Sequence, residues 1–300
     1  MSSAVTGQER NQIIGFIGVG VMGEPMCRHL AVKSSLTVLA VDRAVGPLQR
    51  LAAYGVVPGT VEQLAREASI IFMSLPSGEV MREVVLGQDG LLNKLNRDVL
   101  LVDLSTSSVD VTKEVAARLR EHGIRFADAP VMRTRAAAES GTLAVPVGAE
   151  DEVFALIEPL IKMFASDVIH AGKNGAGQTV KILNNMVLYE TVLALSEAAA
   201  IGRRAGVDAN VLFDAFSVGS ADSFALRNHG MKAIAPQVFP ERAFPVSYAR
   251  KDISYAVALA KDVGVDASGA RNLIDVFDRA IAAGHGDKYA PAISLVLEAK

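Results

Sequence analysis

The sequence predicts a mostly parallel, doubly wound α/β sheet followed by an all-helical second half, and three observations predict it. Short apolar runs at 13–17, 37–41, 69–73 and 99–103 alternate with helical patterns through His170, as in βαβ units. The first run opens into Gly18-Val19-Gly20-Val21-Met22-Gly23, a G-x-G-x-x-G spacing at a strand-to-helix turn. From Gln178 onward the pattern is helical almost to the end, with apolar residues three and four apart.

Each element follows in order. The run 13–17 reads as a buried strand, and a helix follows the glycines through about Ala31. Gly18 permits the tight turn, Gly20 lets a phosphate approach the backbone, and Gly23 lets the helix pack closely on the sheet. The helix start offers N–H groups and a positive dipole end to a pyrophosphate. A second strand, 37–41, ends in Asp42, roughly the ~20 residues past the glycines at which a carboxylate meets an adenosine ribose. The pattern is therefore a Rossmann-type dinucleotide site, with Val19, Val21 and Met22 completing the turn. Asp42 favours NAD by repelling a 2′-phosphate, and the adjacent Arg43 keeps NADP open.

Beyond Asp42, 43–50 enters a helix, 55–58 is a short strand and turn, 61–67 a helix and 69–73 a strand. The turn after that strand carries Leu75 and Pro76 at a strand's carboxyl end, where open α/β sheets bind ligands. Helix 80–86 leads through a loop to strand 99–103, which feeds Ser105 and Thr106. Their hydroxyls can bond a nicotinamide ribose or substrate, or cap the helix 109–121. Strand 124–127 leads to Asp128-Ala129-Pro130-Val131, then Met132-Arg133-Thr134-Arg135. The run 141–148 reads as an edge strand because it tolerates Pro146. Helix 150–164 and strand 167–170 close this half. Further helices are expected at 179–205, 209–216, 223–233, 246–263 and 267–283. The predicted organisation is a flexible tail at 1–11, a dinucleotide-binding domain at 12–174 and a helical substrate and oligomerisation domain at 175–300.

Bulk properties narrow the function. The chain has 300 residues, 50% of them hydrophobic, enough for two sizeable cores. A net charge of −3 and 5% aromatics give no reason to expect nucleic acid or an anionic membrane as partner. The single cysteine, Cys27, excludes an internal disulfide, fits a reducing cytoplasmic setting and reads as a small buried residue. The polar N-terminus does not read as a signal peptide, and no run reaches the ~18 apolar residues of a membrane span. The five histidines show no paired metal-ligand spacing, so no metal is expected. Asp128 reads as a structural loop residue rather than a catalytic one.

At the start of the helical half stands Gly175-Ala176-Gly177-Gln178-Thr179-Val180-Lys181-Ile182-Leu183-Asn184-Asn185. Lys181 and Asn185 are four apart and share a helix face. A lysine near a helix N-terminus meets an unfavourable dipole, which moves it toward general acid/base duty. Taken by itself it also reads as a solvated surface lysine.

Joined to Gly15-Phe-Ile-Gly-Val-Gly-Val-Met-Gly-Glu-Pro-Met26, Asp103-Leu-Ser-Thr106, Asp128-Ala-Pro-Val131, Gly141-Thr-Leu143 and Lys251-Asp252, this phrase completes a set of motifs over about residues 12–295. The sequence so resembles the β-hydroxyacid dehydrogenase family, which includes 3-hydroxyisobutyrate dehydrogenase and tartronate semialdehyde reductase. The resemblance implies a Rossmann domain, a long connecting helix, a helical C-terminal domain and an active site in the cleft. It implies that Lys181 is the catalytic lysine and Asn185, with Asn184 beside it, orients the substrate. It places Thr106 near the nicotinamide ribose, has Lys251 close over the cofactor and has Phe244 cover the same cleft, while Ser105, read from its place at the strand end, is a candidate substrate contact. The reaction implied is hydride transfer between NAD(H) and a small anionic β-hydroxy acid or its semialdehyde. A homodimer or homotetramer is the implied assembly. Related folds reduce imines, and a non-catalytic cofactor-binding module is the other alternative.

One departure stands out. Relatives carry Ser-Gly-Gly where this chain has Met132, Arg133 and Thr134, so the usual substrate-carboxylate loop is altered. Arg133 is a planar, always charged fork suited to oxyanions, and Met132 can form an apolar wall. The Arg-Thr pair resembles the sulfolactaldehyde reductase branch, in which the arginine contacts a sulfonate. The alternatives for Arg133 are solvent, or a pair with Glu139 or Asp128.

Overall fold

In the computed structural model, which describes residues 13–95, 98–241 and 243–298, the chain divides into two units, one running through Lys181 and the other beginning at Ile182. The predicted tail at 1–11 lies outside the described residues. The first unit alternates strand and helix: β1 (Ile13–Ile17), α1 (Gly23–Lys33), β2 (Thr37–Val41), α2 (Val45–Ala52), β3 (Val57–Pro58), α3 (Val61–Glu67), β4 (Ala68–Met73), α4 (Gly78–Leu86), β5 (Leu100–Asp103) and α5 (Val109–Glu121). It continues with β6 (Arg125–Asp128), α6 (Arg135–Ser140), β7 (Leu143–Gly148), α7 (Asp151–Ile161) and β8 (Ala165–Gly172).

The eight strands lie in the order β3-β2-β1-β4-β5-β6-β7-β8. All pairs are parallel except β6 with β7. The first six follow the order of a dinucleotide-binding sheet, which reverses direction between β1 and β4. The strands are continuous apolar runs because both faces are covered. On β1, β4 and β5 the residues Ile14, Phe16, Ile70, Phe72, Leu100 and Val102 join one core. Their alternates Ile17, Ile71, Met73 and Leu101 join the core on the other face. Phe72 stacks on Phe16 and meets Phe164 edge-on, each at 6.2 Å between ring centroids. Cys27 sits fully buried, and burial pushes its thiol up to about 12, which makes it an inert packing residue.

The edge-strand reading of 141–148 is corrected, since β7 is flanked by β8, which forms the edge. The reason Pro146 is tolerated is local. Ala144 exchanges both backbone hydrogen bonds with Met132, so Pro146, two residues on, turns its nitrogen to that same side. β6 reaches that side only at the pair Asp128–Gly148, so the missing N–H opposes no ladder partner. Helix α6 was not anticipated, although Thr134 caps it through Ala137 N–H and Gly141 ends it with a φ of 70°.

The helical unit is built on α8 (Ala176–Arg204), whose 29 residues make it about 43 Å long. It continues through α9 (Ala209–Ser217), a π-helical stretch at Leu226–Ile234, α10 (Val246–Asp262), α11 (Ser268–Ala282) and a short α12 (Ser294–Glu298). Where the sequence predicts an ordinary helix at 223–233 the turns are wider, with Ala235 N–H bonding Gly230 C=O. The core of this unit gathers Val192, Phe213, Leu226, Ile253, Leu273, Phe277 and Ile293. Among the described residues no helix is long and apolar enough to cross a membrane.

His229, on the π-helical stretch, is buried and bonded at Nδ1 to the Tyr289 hydroxyl at 2.7 Å. Burial holds its imidazole down at about 4, against an ordinary 6.5. The unfolded chain therefore takes up a proton between those values that the folded chain refuses. The stability from this group is complete above pH 6.5 and is lost as pH falls toward 4, to a limit of about 3 kcal/mol. His229→Asn keeps a hydrogen-bonding partner for Tyr289 and removes the titration. Urea midpoints of this variant are expected to fall less steeply than wild type between pH 6.5 and 4. Parallel slopes would exclude His229 as an acid trigger.

Candidate active site

The glycine turn lies where the sheet reverses direction. Gly18 leaves β1 with a φ of 89° and donates its N–H to Val41 C=O at 2.9 Å, while Ser74 N–H bonds Ile17 C=O at 2.8 Å. A Cβ on Gly18 would stand 2.3 Å from the Ser74 oxygen, and one on Gly23 would stand 2.0 Å from the Gly18 oxygen. These two glycines are required by the fold itself. Gly20 differs, because a Cβ there would meet nothing within 4 Å. The space above Gly20 is what a pyrophosphate needs, and the start of α1 presents N–H groups that have no partner within the helix. The residues present therefore fit a dinucleotide.

Val19 is buried and its N–H donates to Asp42 Oδ2 at 2.7 Å, while Ala44 N–H donates to Oδ1 at 2.7 Å. Asp42 thus ties the end of β2 to the glycine turn, with lone pairs remaining on both oxygens. Val21 and Arg43 are exposed and Met22 is half-buried at the N-cap of α1.

The neighbouring loops form one hydrogen-bonded group. Leu75 N–H donates to Ser105 Oγ at 2.8 Å, and Pro76 next to it is exposed. Buried Asp103 accepts from Ser105 N–H at 3.0 Å and from the Ser107 hydroxyl at 3.0 Å. Ser105 and Ser107 are buried, and Thr106 between them is half-buried. The cap of α5 is Ser108, whose hydroxyl accepts from Val111 N–H, so Ser105 and Thr106 are not the capping pair.

The first turn of α8 docks onto this group. Asp128, fully buried, accepts from Gly175 N–H at 2.7 Å and from Gln178 N–H at 2.9 Å. Burial pushes its carboxyl up to about 7 against these two bonds, with the charge of nearby Asp103 acting in the same direction as burial. The Gln178 side chain accepts from Ser107 N–H at 3.0 Å and donates to Ser105 C=O at 2.8 Å. Lys181, three residues along α8, is buried, at 8% exposure.

In the helical unit, Asn185 is buried and donates to Asp252 Oδ2 at 2.7 Å, while Asn184 donates to Asn185 Oδ1 at 3.2 Å. Lys251 Nζ lies 3.3 Å from Asp252 Oδ1 and 5.5 and 5.4 Å from the ring centroids of Tyr248 and Tyr255. Phe244 stacks on Tyr189 of α8 at 6.1 Å. The structure therefore gathers the predicted residues into two groups: the glycine turn, Asp42, Leu75, Ser105, Thr106 and Lys181 in one unit, and Asn184, Asn185, Lys251 and Phe244 in the other.

The loop at 132–134 is engaged elsewhere. Met132 bridges to Ala144 on β7, and Thr134 caps α6. Arg133 holds a φ of 82°, a left-handed conformation costly for a residue with a side chain. Its guanidinium donates to Thr142 C=O at 2.6 Å, Ser166 Oγ at 2.7 Å and Asp167 at 2.8 Å. The carboxylate it meets is Asp167, not Glu139, which pairs with Arg28, nor Asp128, which holds α8. Sequence reasoning passed over two residues, Gln178 and Asp252, each buried and each bonded to a predicted site residue or its neighbour.

A glycine turn at the sheet reversal with a carboxylate at the end of β2 is the architecture of a dinucleotide-binding domain. Two family models cover nearly the whole chain: the NAD binding domain of 6-phosphogluconate dehydrogenase matches residues 13–172, and the NAD-binding domain of NADP-dependent 3-hydroxyisobutyrate dehydrogenase matches 175–296. The chain belongs to the β-hydroxyacid dehydrogenase family and is an NAD(P)-dependent enzyme of the dehydrogenase/reductase class. It is 32% identical to 2-(hydroxymethyl)glutarate dehydrogenase of Eubacterium barkeri, over 97% of this chain and 96% of that protein. It is 30% identical to 2-hydroxy-3-oxopropionate reductase of Escherichia coli, over 95% and 97%. A solved 3-hydroxyisobutyrate dehydrogenase from Mycobacterium tuberculosis, with L-serine, superposes with a TM-score of 0.86 at 29% identity, over 96% and 99%. Imine reductases at 16–20% identity share the fold alone.

Proposed function

We propose that this protein interconverts a small β-hydroxy acid and its semialdehyde using NAD(H), with Lys181 as general acid/base. The observation that carries the reading is the placement of a buried lysine on the helix turn that is hydrogen-bonded, through Gln178, to both sides of Thr106. When bound, the nicotinamide supplies the hydride donor or acceptor. Lys181 takes the hydroxyl proton during oxidation and returns it during reduction, while Asn185, on the same face of α8, orients the reacting oxygen. Asp252 fixes the Asn185 amide. Asp42 favours NAD, since a 2′-phosphate would face its carboxylate. The names of the relatives support the substrate class: each denotes an acid with its hydroxyl or aldehyde carbon two bonds from a carboxylate carbon. A homodimer or homotetramer is the assembly proposed.

The test is oxidation of NADH and NADPH, followed by absorbance, with tartronate and methylmalonate semialdehydes, and with succinic semialdehyde and sulfolactaldehyde as a longer-chain and a sulfonate-headed comparison. Turnover of none of them, with NADH bound, would remove the substrate assignment.

Arg133 enters this reading as an exchangeable fork. Its partner Asp167 is a surface carboxylate, and an anionic substrate head would replace one carboxylate by another at the same donors. Arg133→Ala is then expected to raise KM for the substrate about tenfold with KM for NADH unchanged, and Asp167→Asn to lower the substrate KM. Unchanged substrate KM in both variants would confine Arg133 to holding the ends of β7 and β8.

A further inference from the structure

We infer that Gln178 is a positioning residue, whose side-chain amide sets the loop around Thr106 and the turn that carries Lys181 in one fixed relation; this rests on the roles proposed for those two residues.

The amide is matched to its surroundings atom by atom. Oε1 accepts the Ser107 N–H and Nε2 donates to the Ser105 C=O, so the side chain pairs with the backbone on both sides of Thr106 as a neighbouring strand would. Gln178 is fully buried, and its own N–H is fixed by Asp128 Oδ2 at 2.9 Å. The far side of the loop is fixed as well, by Ser105 Oγ on Leu75 N–H and by Asp103 on Ser105 and Ser107. The chain of bonds therefore runs from the loop after β4, through the loop after β5, to the first turn of α8. Lys181 follows Gln178 by three residues, almost one helical turn. A shift of the turn against the loop moves the amine with it, and misplacement of about 1 Å costs up to about 10²-fold in rate.

Only a side chain with one acceptor and one donor at this reach makes both bonds. Asparagine is a methylene too short, and alanine leaves a buried N–H and a buried C=O unmatched. Glutamate is informative. As a carboxylate it accepts from Ser107 but repels the Ser105 oxygen; as a neutral acid it accepts from one and donates its O–H to the other, restoring both bonds.

The experiment compares wild type, Gln178→Ala, Gln178→Asn and Gln178→Glu, all assayed well below their melting temperatures. NADH affinity is read by fluorescence, and kcat and KM with the best semialdehyde from the panel above. Gln178→Ala and Gln178→Asn are expected to lose about 10- to 100-fold in kcat, with the substrate KM changed less than about threefold. The ratio of Gln178→Glu to Gln178→Ala activity is expected to rise as pH falls, because both retain Lys181 and only the glutamate regains its bonds on protonation. Wild-type kcat in Gln178→Ala would overturn the inference. So would a Glu-to-Ala ratio that does not change with pH, which would leave the residue a merely structural one. Failure of the underlying reading looks different: wild type itself would not bind NADH, or Lys181→Ala would turn over normally.

Discussion

Lys181→Ala is expected to lower kcat by about 10²–10⁴-fold, the contribution of a positioned general acid or base, while NADH binds with nearly wild-type affinity. The split follows from where the residue stands. The segments proposed to hold the dinucleotide are the glycine turn and the loops after β2 and β4, and residue 181 lies on none of them but on α8. Lys181→Met is the companion variant, because it fills a similar buried volume without an ammonium and so separates lost proton transfer from a lost side chain. Both variants are expected to remain folded, since α8 is anchored one turn earlier by Asp128. Near-normal turnover in either variant would remove Lys181 from the mechanism, whatever the glycines bind. A loss of NADH affinity equal to the loss in kcat would instead make Lys181 a cofactor residue.

How much of this was readable in the sequence depended on distance along the chain. The strands at 13–17 and 37–41 and the helices at 61–67 and 109–121 have the predicted bounds, because their signals are local apolar runs and helical spacings; the caps Thr60 and Ser108 were read only from the fold. The glycine turn and Asp42 were legible for the same reason, as a spacing in one βαβ unit. Gln178 was in plain view beside Lys181 and still missed, since its partners Ser107 and Ser105 lie 71 and 73 residues earlier. A glutamine in a helical run reads as solvated until the fold brings a backbone to it. The carboxylate that Arg133 meets was out of reach in the same way: the sequence offered Glu139 or Asp128, and the partner is Asp167, 34 residues off on β8. The edge reading of β7 used a sound rule about proline in strands, but the rule concerns the side the nitrogen faces. That side was set by the return of the chain at Met132, which no local pattern announces.

The second large effect separates cofactor binding from folding within a single turn. Gly20→Ala is expected to keep the wild-type melting temperature, because the added methyl meets nothing within 4 Å and the backbone there is not left-handed. Its NADH affinity is expected to fall about 10- to 100-fold, the loss of one or two charge-assisted bonds of roughly 1.5–3 kcal/mol in total as the phosphate is held off the backbone. Gly23→Ala reverses the order of effects. A methyl 2.0 Å from the Gly18 oxygen must push α1 away from the strand end, so the melting temperature drops and binding is lost with it. The pair is diagnostic because both changes add the same single methyl, three residues apart. If Gly20→Ala binds NADH as wild type does, the pyrophosphate is not at this turn. If it unfolds as Gly23→Ala does, the space above Gly20 is closed in solution and the loss of binding says nothing about a phosphate.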